Sequence, residues 1–301
     1  MKYGVCITHY GRHVPVAELL EAVQATERLG FDSIWVTDHI MIPEGVREAQ
    51  FIYREHMLDA LSVFSYLAGV SERVQLGSSI IVLAYRNPIV MAKMLASIDV
   101  LSGGRVIFGA AAGYMEGEFK ALGVPFEERG SVSDEYLRII REIWTHDQPT
   151  FHGKYFDFAN VSTSPRPIQK PGPPIWIGGR SKRAMRRAVE LGDVWHPLGL
   201  TPTEMKEGKA YMAGLAERRK LARVPGLSLR ANLLVDGVSE PMGPYAGRAG
   251  NTPFKGDAAL IKERIAEYAE AGVEHIVLDM ATLSHQSFLR TLETFSAHIR
   301  E

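Results

Sequence analysis

Strand-like and helix-like segments alternate regularly along the chain, and this order limits the possible folds more than any other feature. Short runs rich in β-branched and aromatic residues predict eight strands, at 3–8, 33–38, 74–82, 106–112, 175–177, 193–196, 227–235 and 275–280. Helical periodicity follows each of them, at 16–29, 58–67, 88–101, 135–144, 181–191, 203–223, 257–271 and 287–299. Eight such repeats predict an α/β fold of the (β/α)8 TIM-barrel type.

Local signals mark several helix ends. Asn87 and Pro88 are typical of an N-cap and a first helical position. Gly103 and Gly104 are typical of a helix stop. The sequence from Ser131 to Asp134 resembles a capping box in front of the helix predicted at 135–144.

We interpret residues 1–301 as a single domain with three irregular segments. Residues 151–174 contain five prolines and several aromatic residues, which predicts an insertion with a small hairpin before the fifth strand. The segment 41–57 is longer than most strand-to-helix loops and is a candidate active-site loop. The segment 237–256 is rich in glycine and proline and is expected to be flexible. A doubly wound sheet is disfavoured because no glycine-rich dinucleotide motif follows the first strand.

Charge and cysteine usage exclude several classes of function. A formal net charge of -1 gives no reason to expect nucleic acid or an anionic membrane as a partner. The single cysteine, Cys6, excludes an internal disulfide and any CxxC metal site, and it lies in an apolar run typical of a core thiol. The first residues lack the apolar core of a signal peptide, so we expect a cytoplasmic protein.

Two strand ends carry residues that could take part in catalysis or bind a ligand. Asp38 and His39 follow the second strand, where a barrel places its chemistry, although such a pair can equally bind loop backbone. The residues Gly178 to Ser181 join the fifth strand to its helix. Amides at a helix N-terminus, a hydroxyl and the Arg180 guanidinium favour a phosphate site, while the alternative is a tight turn in which Ser181 only caps the helix. HExxH, GxSxG and Walker motifs are absent from the sequence, so no metal site is expected.

An ordered set of motifs resembles the luciferase-like monooxygenase superfamily, which includes oxidoreductases that depend on the deazaflavin coenzyme F420. The matching pieces are 30–39 (GFDSIWVTDH), 76–80, 86–88, 101–105, 113–119, 122–126, 128–130, 174–179 and 191–197. The order of the pieces makes the resemblance specific, because no single piece is diagnostic.

The resemblance implies a flavin-type ring over the mouth of the barrel, with His39 near its reactive edge. It implies that the ring packs on a bulge after the third strand with a cis peptide bond between Ser79 and Ile80, and that the cofactor phosphate lies at the loop after the fifth strand. The cofactor-binding residues predicted in this way are Asp38, Ser79, Ile80, Ala112, Gly113, Tyr114, Gly178, Gly179, Arg180 and Ser181.

The resemblance favours an oxidoreductase that uses F420 to transfer hydride to or from a small, hydrophobic substrate. Two alternatives stay open: an FMN-dependent monooxygenase and a barrel that binds a ligand without turnover. Sugar-phosphate oxidation is doubtful, because Tyr114 stands where such relatives carry a glutamate. Glu116 and Glu118 are interpreted as structural, and a homodimer is expected. The candidate mouth aromatics are Tyr10, Phe51, Tyr53, Tyr85, Tyr114 and Trp195.

Overall fold

The computed structural model describes residues 1–11, 14–44, 56–241, 253–280 and 282–300. Its strands are β1 (Lys2–Cys6), β2 (Ser33–Val36), β3 (Gln75–Ser78), β4 (Ile81–Val82), β5 (Val106–Ala111), β6 (Phe151–His152), β7 (Asp157–Phe158), β8 (Ile175–Gly178), β9 (Val194–His196), β10 (Gly226–Val235), β11 (Phe254–Gly256) and β12 (His275–Asp279). Its helices are α1 (Val16–Arg28), α2 (Ala60–Val70), α3 (Pro88–Leu101), α4 (Glu116–Ala121), α5 (Arg129–Thr145), α6 (Lys182–Leu191), α7 (Pro202–Arg218), α8 (Ala258–Glu270) and α9 (His285–His298).

Eight parallel strands close into a barrel, which confirms the predicted fold class. They run in the order β1, β2, β3, β5, β8, β9, β10 and β12, and β12 pairs again with β1. The strands are buried on both faces, as expected when helices cover a parallel sheet. The mouth at the carboxyl ends of these strands is therefore where a site is expected.

The barrel interior is filled around one large side chain, Trp35 of β2. Neighbouring strands make room for its indole with glycine, since a Cβ on Gly4 would lie 2.2 Å from Trp35 Nε1 and one on Gly77 2.3 Å from Trp35 Cε3. Trp176 completes the layer, with its ring centre 4.9 Å from that of Trp35. Small and large residues on adjacent strands thus pack the interior as a solid core.

Several predicted boundaries are confirmed by their capping contacts. The Asn87 side chain accepts the Ile89 and Val90 amides at the start of α3. Gly103 and Gly104 follow the end of that helix with φ of 70° and 84°, which favour glycine. The segment before the fifth barrel strand holds the antiparallel hairpin β6–β7, as predicted.

Other boundaries differ from the prediction. Helix α5 begins at Arg129, so Ser131 to Asp134 lie inside it and form no capping box. Asp134 instead pairs with Arg187 of α6, at 2.6 Å. A short helix, α4, lies between the fourth barrel strand and α5, where the sequence pattern predicts no helix. Helix α7 ends at Arg218, five residues before the predicted end at Arg223.

The predicted third strand is interrupted. Its parts, β3 and β4, are separated by Ser79 and Ile80, whose connecting peptide bond is cis, as expected. The predicted flexible segment 237–256 is described only at 237–241 and 253–256. Within it, β11 pairs with β10, and residues 242–252 lie outside the described part.

Candidate active site

The predicted site residues lie at the carboxyl ends of neighbouring barrel strands. Asp38 and His39 follow β2, Ser79 and Ile80 separate β3 from β4, and Ala112 to Tyr114 follow β5. Gly178 ends β8, and Gly179 to Ser181 lead into α6. Because all these strands are parallel and adjacent, one side of the mouth collects most of the predicted set.

His39 is held by a buried carboxylate that the sequence reasoning interpreted as structural. The His39 Nδ1 atom lies 2.9 Å from Glu118 Oε2, and Glu118, on α4, has no exposed surface. The Tyr85 hydroxyl donates to the same carboxylate oxygen at 2.6 Å. Glu118, which the sequence reasoning interpreted as structural, therefore lies in direct contact with the predicted catalytic histidine.

The electrostatics keep Glu118 ionised. Burial favours its neutral form, but the hydrogen bonds from His39 and Tyr85 outweigh burial, and the net effect lowers the pKa of Glu118. Burial, followed by contact with Glu118, raises the pKa of Tyr85, so this phenol stays protonated and donates. The arrangement can therefore orient the imidazole of His39.

Asp38 is buried against a cation that the site prediction omitted. Its two carboxylate oxygens accept hydrogen bonds from Arg86 at 2.7 and 2.8 Å, and Oδ2 also accepts the Val82 amide at 3.0 Å. Arg86 makes a further contact with Asp59 at 2.6 Å. Since these contacts occupy the Asp38 carboxylate, we expect Asp38 to shape the mouth by fixing the chain around β4.

The residue at the strand break is held from two sides. The Ser79 carbonyl accepts a hydrogen bond from Arg230 at 2.5 Å, and Arg230 pairs with Asp279 at the end of β12. The Ser79 hydroxyl lies 2.7 Å from His196 Nε2. Arg230 of β10 thus holds the Ser79 carbonyl and His196 of β9 holds its hydroxyl, while Asp279 of β12 supports Arg230.

His196 is a neutral part of this support. Burial, together with the nearby charge of Arg230, lowers the pKa of His196 to about 3. Its Nδ1 atom lies 2.9 Å from the Ser228 hydroxyl. A neutral imidazole with hydroxyl groups at both nitrogens orients Ser79 and carries no charge into the barrel.

The segment Gly178 to Ser181 has the features of an anion site and also those of a capped turn. A Cβ on Gly178 would lie 2.8 Å from Ile80 Cγ2. The end of β8 can therefore lie this close to the strand break only because residue 178 is glycine. The Ser181 hydroxyl accepts the Ala184 amide and caps α6. The Arg180 side chain is 53% exposed and lies 3.6 Å from Glu204. A surface pair of this kind is weak, so the guanidinium is accessible to an anion.

Where the structure describes the rim of the mouth, exposed apolar side chains lie on it. Large exposed apolar side chains follow four of the barrel strands: Ile40, Met41, Tyr114, Leu198 and Leu283. Gly113 precedes Tyr114 with φ of 81°. The Tyr114 ring is 6.0 Å from the His39 ring in an edge-on arrangement. This rim fits an apolar partner better than a highly charged one.

The aromatic residues predicted at the mouth differ in where the structure places them. Trp195 packs in the outer core, and its indole donates to the Gly179 carbonyl at 2.8 Å. Tyr85 and Tyr10 are both buried, and the Tyr10 hydroxyl lies 3.5 Å from Asp279 Oδ1. Two further candidates, Phe51 and Tyr53, lie outside the described residues.

Three contributors were missed as site residues by the sequence reasoning: Glu118, Arg86 and Arg230. Glu118 and Arg86 lie within the matched motifs, but the sequence does not indicate which residues they contact. Arg230 gave a weaker signal, as an isolated charge in the middle of an apolar strand. Within the described ranges, no cluster of three or more potential ligands could hold a metal ion, and no helix has the length and apolarity needed to cross a membrane.

Comparison with known proteins identifies the class. The family described as luciferase-like monooxygenase matches residues 1–236. Similarity over part of the chain links it to an FMNH2-dependent dimethylsulfone monooxygenase of Pseudomonas putida, 38% identical over 113 residues that span 36% of this chain and 31% of that protein. An F420-dependent glucose-6-phosphate dehydrogenase of Amycolatopsis mediterranei is 32% identical over 182 residues, which span 58% of this chain and 51% of that protein.

Solved structures share the whole fold. A monooxygenase from Streptomyces bottropensis superposes with a TM-score of 0.81 at 18% identity, over 100% of this chain and 99% of that one. An F420-dependent secondary alcohol dehydrogenase also gives 0.81 at 18% identity, over 99% of this chain and 98% of that one.

The chain belongs to the luciferase-like monooxygenase family, as the sequence motifs predicted. Its relatives include enzymes named for FMNH2 and enzymes named for F420. Because the chain spans only about a third to a half of the two named relatives, their activities are not transferred to it as findings.

Proposed function

We propose that this protein is an F420-dependent oxidoreductase that transfers hydride to or from a small, mostly apolar organic substrate at the barrel mouth. The observation that carries the proposal is the buried pair of His39 and Glu118 at the carboxyl end of β2. An imidazole oriented by an ionised carboxylate suits proton transfer to or from a substrate oxygen, which must accompany hydride transfer at the adjacent carbon.

The residues of the mouth fit a flavin-type cofactor. Gly178 lies against the strand break at Ser79 and Ile80, because a side chain at position 178 would collide with Ile80. We infer that these residues form the surface on which the cofactor ring packs. Gly179, Arg180 and Ser181 begin the turn into α6, where amide groups and a guanidinium favour a phosphate. These residues would hold the cofactor, with Ala112, Gly113 and Tyr114 beside it on the next strand end. When bound, the deazaflavin would supply or accept the hydride.

The proposed substrate class follows from the rim and from Tyr114. The exposed side chains of Ile40, Met41 and Leu283 can contact an apolar substrate, and none of them carries a charge that would bind a substrate phosphate. The Tyr114 side chain is exposed and provides a phenol where a sugar-phosphate dehydrogenase would carry a carboxylate. A small alcohol or ketone with an apolar body fits these features, because its oxygen can meet His39 while its carbons meet the rim.

A second candidate is an FMN-dependent monooxygenase. The similarity to the dimethylsulfone monooxygenase favours it, because this relative has the higher identity of the two, 38% against 32%, over a shorter segment. In that case the same mouth would hold reduced FMN, and the apolar rim would limit the access of water.

Cofactor titration separates the two candidates. Purified protein is titrated with F420 and with FMN, each oxidised and reduced, and binding is followed by fluorescence. Our proposal expects saturable F420 binding with weak or no FMN binding, followed by F420 reduction or oxidation with a panel of small alcohols and ketones. Tight binding of FMN alone would overturn the F420 assignment and support the monooxygenase.

A pair of arginine variants tests the phosphate site. Arg180→Ala removes the exposed guanidinium beside Ser181 and is expected to weaken cofactor binding about tenfold, the effect of losing roughly 1.4 kcal/mol. Arg28→Ala is the matched control, since Arg28 is exposed at the C-terminal end of α1, away from the mouth. Equal affinities for both variants would show that Arg180 does not contact the phosphate.

A further inference from the structure

A single buried carboxylate contacts both the imidazole of His39 and the backbone that follows it. Glu118 Oε2 lies 2.9 Å from His39 Nδ1. Glu118 Oε1 accepts the amide of Met41 at 3.0 Å and also the amide of Ile40. The two oxygens of one side chain on α4 therefore hold three consecutive residues after β2, across 77 to 79 positions of sequence.

The hydrogen-bond donors around Glu118 determine the position of the His39 proton. Two backbone amides, which can only donate, and the Tyr85 hydroxyl, which donates at 2.6 Å, surround the carboxylate with donors. An ionised carboxylate has no hydrogen to give, and the His39 Nδ1 atom facing it must then carry the proton. In the neutral imidazole this leaves Nε2 as the basic nitrogen.

We propose that Glu118 is a positioning residue that fixes His39 in its Nδ1-protonated tautomer, so that Nε2 is the atom that takes up and releases the proton. The same carboxylate ties this tautomer to the backbone of Ile40 and Met41, and it holds the imidazole and the start of the loop as one unit. The catalytic use of His39 rests on the proposed function, whereas the tautomer is a property of the protein without any cofactor.

The first test is a nitrogen NMR measurement on cofactor-free protein. Histidine is labelled with 15N, the His39 signals are assigned by comparison with His39→Gln, and spectra are recorded where the imidazole is neutral. We expect the proton on Nδ1 in the wild-type protein. A wild-type His39 protonated at Nε2 would overturn the proposal, and this measurement needs no variant of Glu118 to fold.

The second test changes the acceptor into a donor. In Glu118→Gln, the amide oxygen can still accept from Ile40 and Met41, while the NH2 group faces His39 Nδ1 and requires it to accept. We expect the His39 proton to move to Nε2. The matched control is Glu116→Gln, which removes the same charge at an exposed position of α4 and should leave the Nδ1 tautomer unchanged. An unchanged tautomer in Glu118→Gln would contradict the proposal.

Kinetics connect the tautomer with turnover. Once a cofactor and substrate are established, Glu118→Gln is expected to lower kcat about 10²- to 10⁴-fold with little change in KM, because the base is lost while binding is kept. An equal loss of kcat in Glu116→Gln would show that the loss follows from removing a negative charge on α4 and not from the tautomer of His39, which would contradict the proposal. If the F420 titration fails but the tautomer moves as expected, the proposed function is wrong and the role of Glu118 stands.

Discussion

At the scale of single residues, buried charges at the mouth are stabilised by partners that lie far away in the sequence. Asp38 is fully buried as a side chain, and Arg86 neutralises it with two hydrogen bonds from a position 48 residues further on. Arg86 also reaches Asp59, which is partly exposed. Removing the cation would leave a buried charge without compensation, which costs more than the intact pair contributes.

We therefore expect Arg86→Met to destabilise the protein by about 3–5 kcal/mol. The matched control is Arg290→Met, since Arg290 and its partner Glu240 have side chains 43% and 53% exposed, and such a pair contributes less than about 1 kcal/mol. Urea unfolding monitored by tryptophan fluorescence measures both. Similar midpoints for the two variants would contradict the interpretation of Asp38 as a buried charge that depends on Arg86.

Buried histidines give the protein a defined sensitivity to acid. Burial lowers the pKa of His9 to about 4, that of His196 to about 3 and that of His275 to about 4, below the ordinary value near 6.5 of an unfolded chain. Between pH 6.5 and about 4 the unfolded chain therefore binds more protons than the folded protein. Stability is expected to fall as the pH falls through this window and to be independent of these groups above pH 7.

Each such histidine contributes up to about 1.4 kcal/mol per pH unit to this dependence. His275→Gln, which can keep the hydrogen bond to Ser33, should reduce the slope of unfolding free energy against pH by about that amount. His152→Gln is the control, because His152 is 67% exposed. The measurement is urea unfolding at pH 5, 6 and 7, and equal slopes for all three proteins would refute the prediction.

At the scale of elements, the strands around the break depend on glycine. A Cβ on Gly109 of β5 would lie 1.7 Å from the Ser78 carbonyl oxygen, a contact with backbone that no rotamer can relieve. The Ser78 hydroxyl bridges the same region, donating to the Gly109 carbonyl at 2.8 Å and accepting its amide at 2.9 Å. The close approach of β3 and β5 thus sets the position of Ser79, the residue that follows.

We expect Gly109→Ala to destabilise the protein by more than about 3 kcal/mol, because the backbone of β3 or β5 must move. The control is Gly69→Ala in α2, where a Cβ meets nothing within 4 Å and alanine should stabilise by about 0.5–1 kcal/mol. Thermal unfolding of the two variants gives the comparison. A neutral Gly109→Ala would show that the strands have room that the structure does not indicate.

At the scale of the whole molecule, a cofactor that binds at the mouth contacts several strand ends at once and should stabilise the entire barrel. A ligand at a hundredfold excess over its Kd stabilises the folded state by about 2.7 kcal/mol. For a chain of 301 residues, F420 should raise the unfolding temperature by roughly 4 °C. Differential scanning calorimetry with F420, with FMN and without either checks this, and a shift with FMN alone would contradict the F420 proposal.

Assembly is a separate question at this scale. The homodimer implied by the family resemblance stays a prediction, as does the cytoplasmic location. Light scattering after size-exclusion chromatography would give the mass in solution, to be compared with 33.4 kDa for one chain.

The sequence by itself determined the order of the elements and many of their ends. Hydrophobic periodicity predicted eight strands and their helices, because burial of an apolar face is encoded locally. Asn87 and Gly103 marked the limits of α3, because capping and positive φ depend on neighbouring residues alone. Motif order indicated the family and singled out His39.

Only the tertiary structure decided which partners these residues have. Glu118 meets His39 across 79 positions, and Arg230 meets the Ser79 carbonyl across 151, because the sheet brings together the ends of strands that are distant in sequence. Glu118, which the sequence analysis interpreted as structural, is in this way the buried partner of the candidate catalytic histidine. Local patterns cannot encode such pairs, since their geometry exists only once the parallel strands are paired.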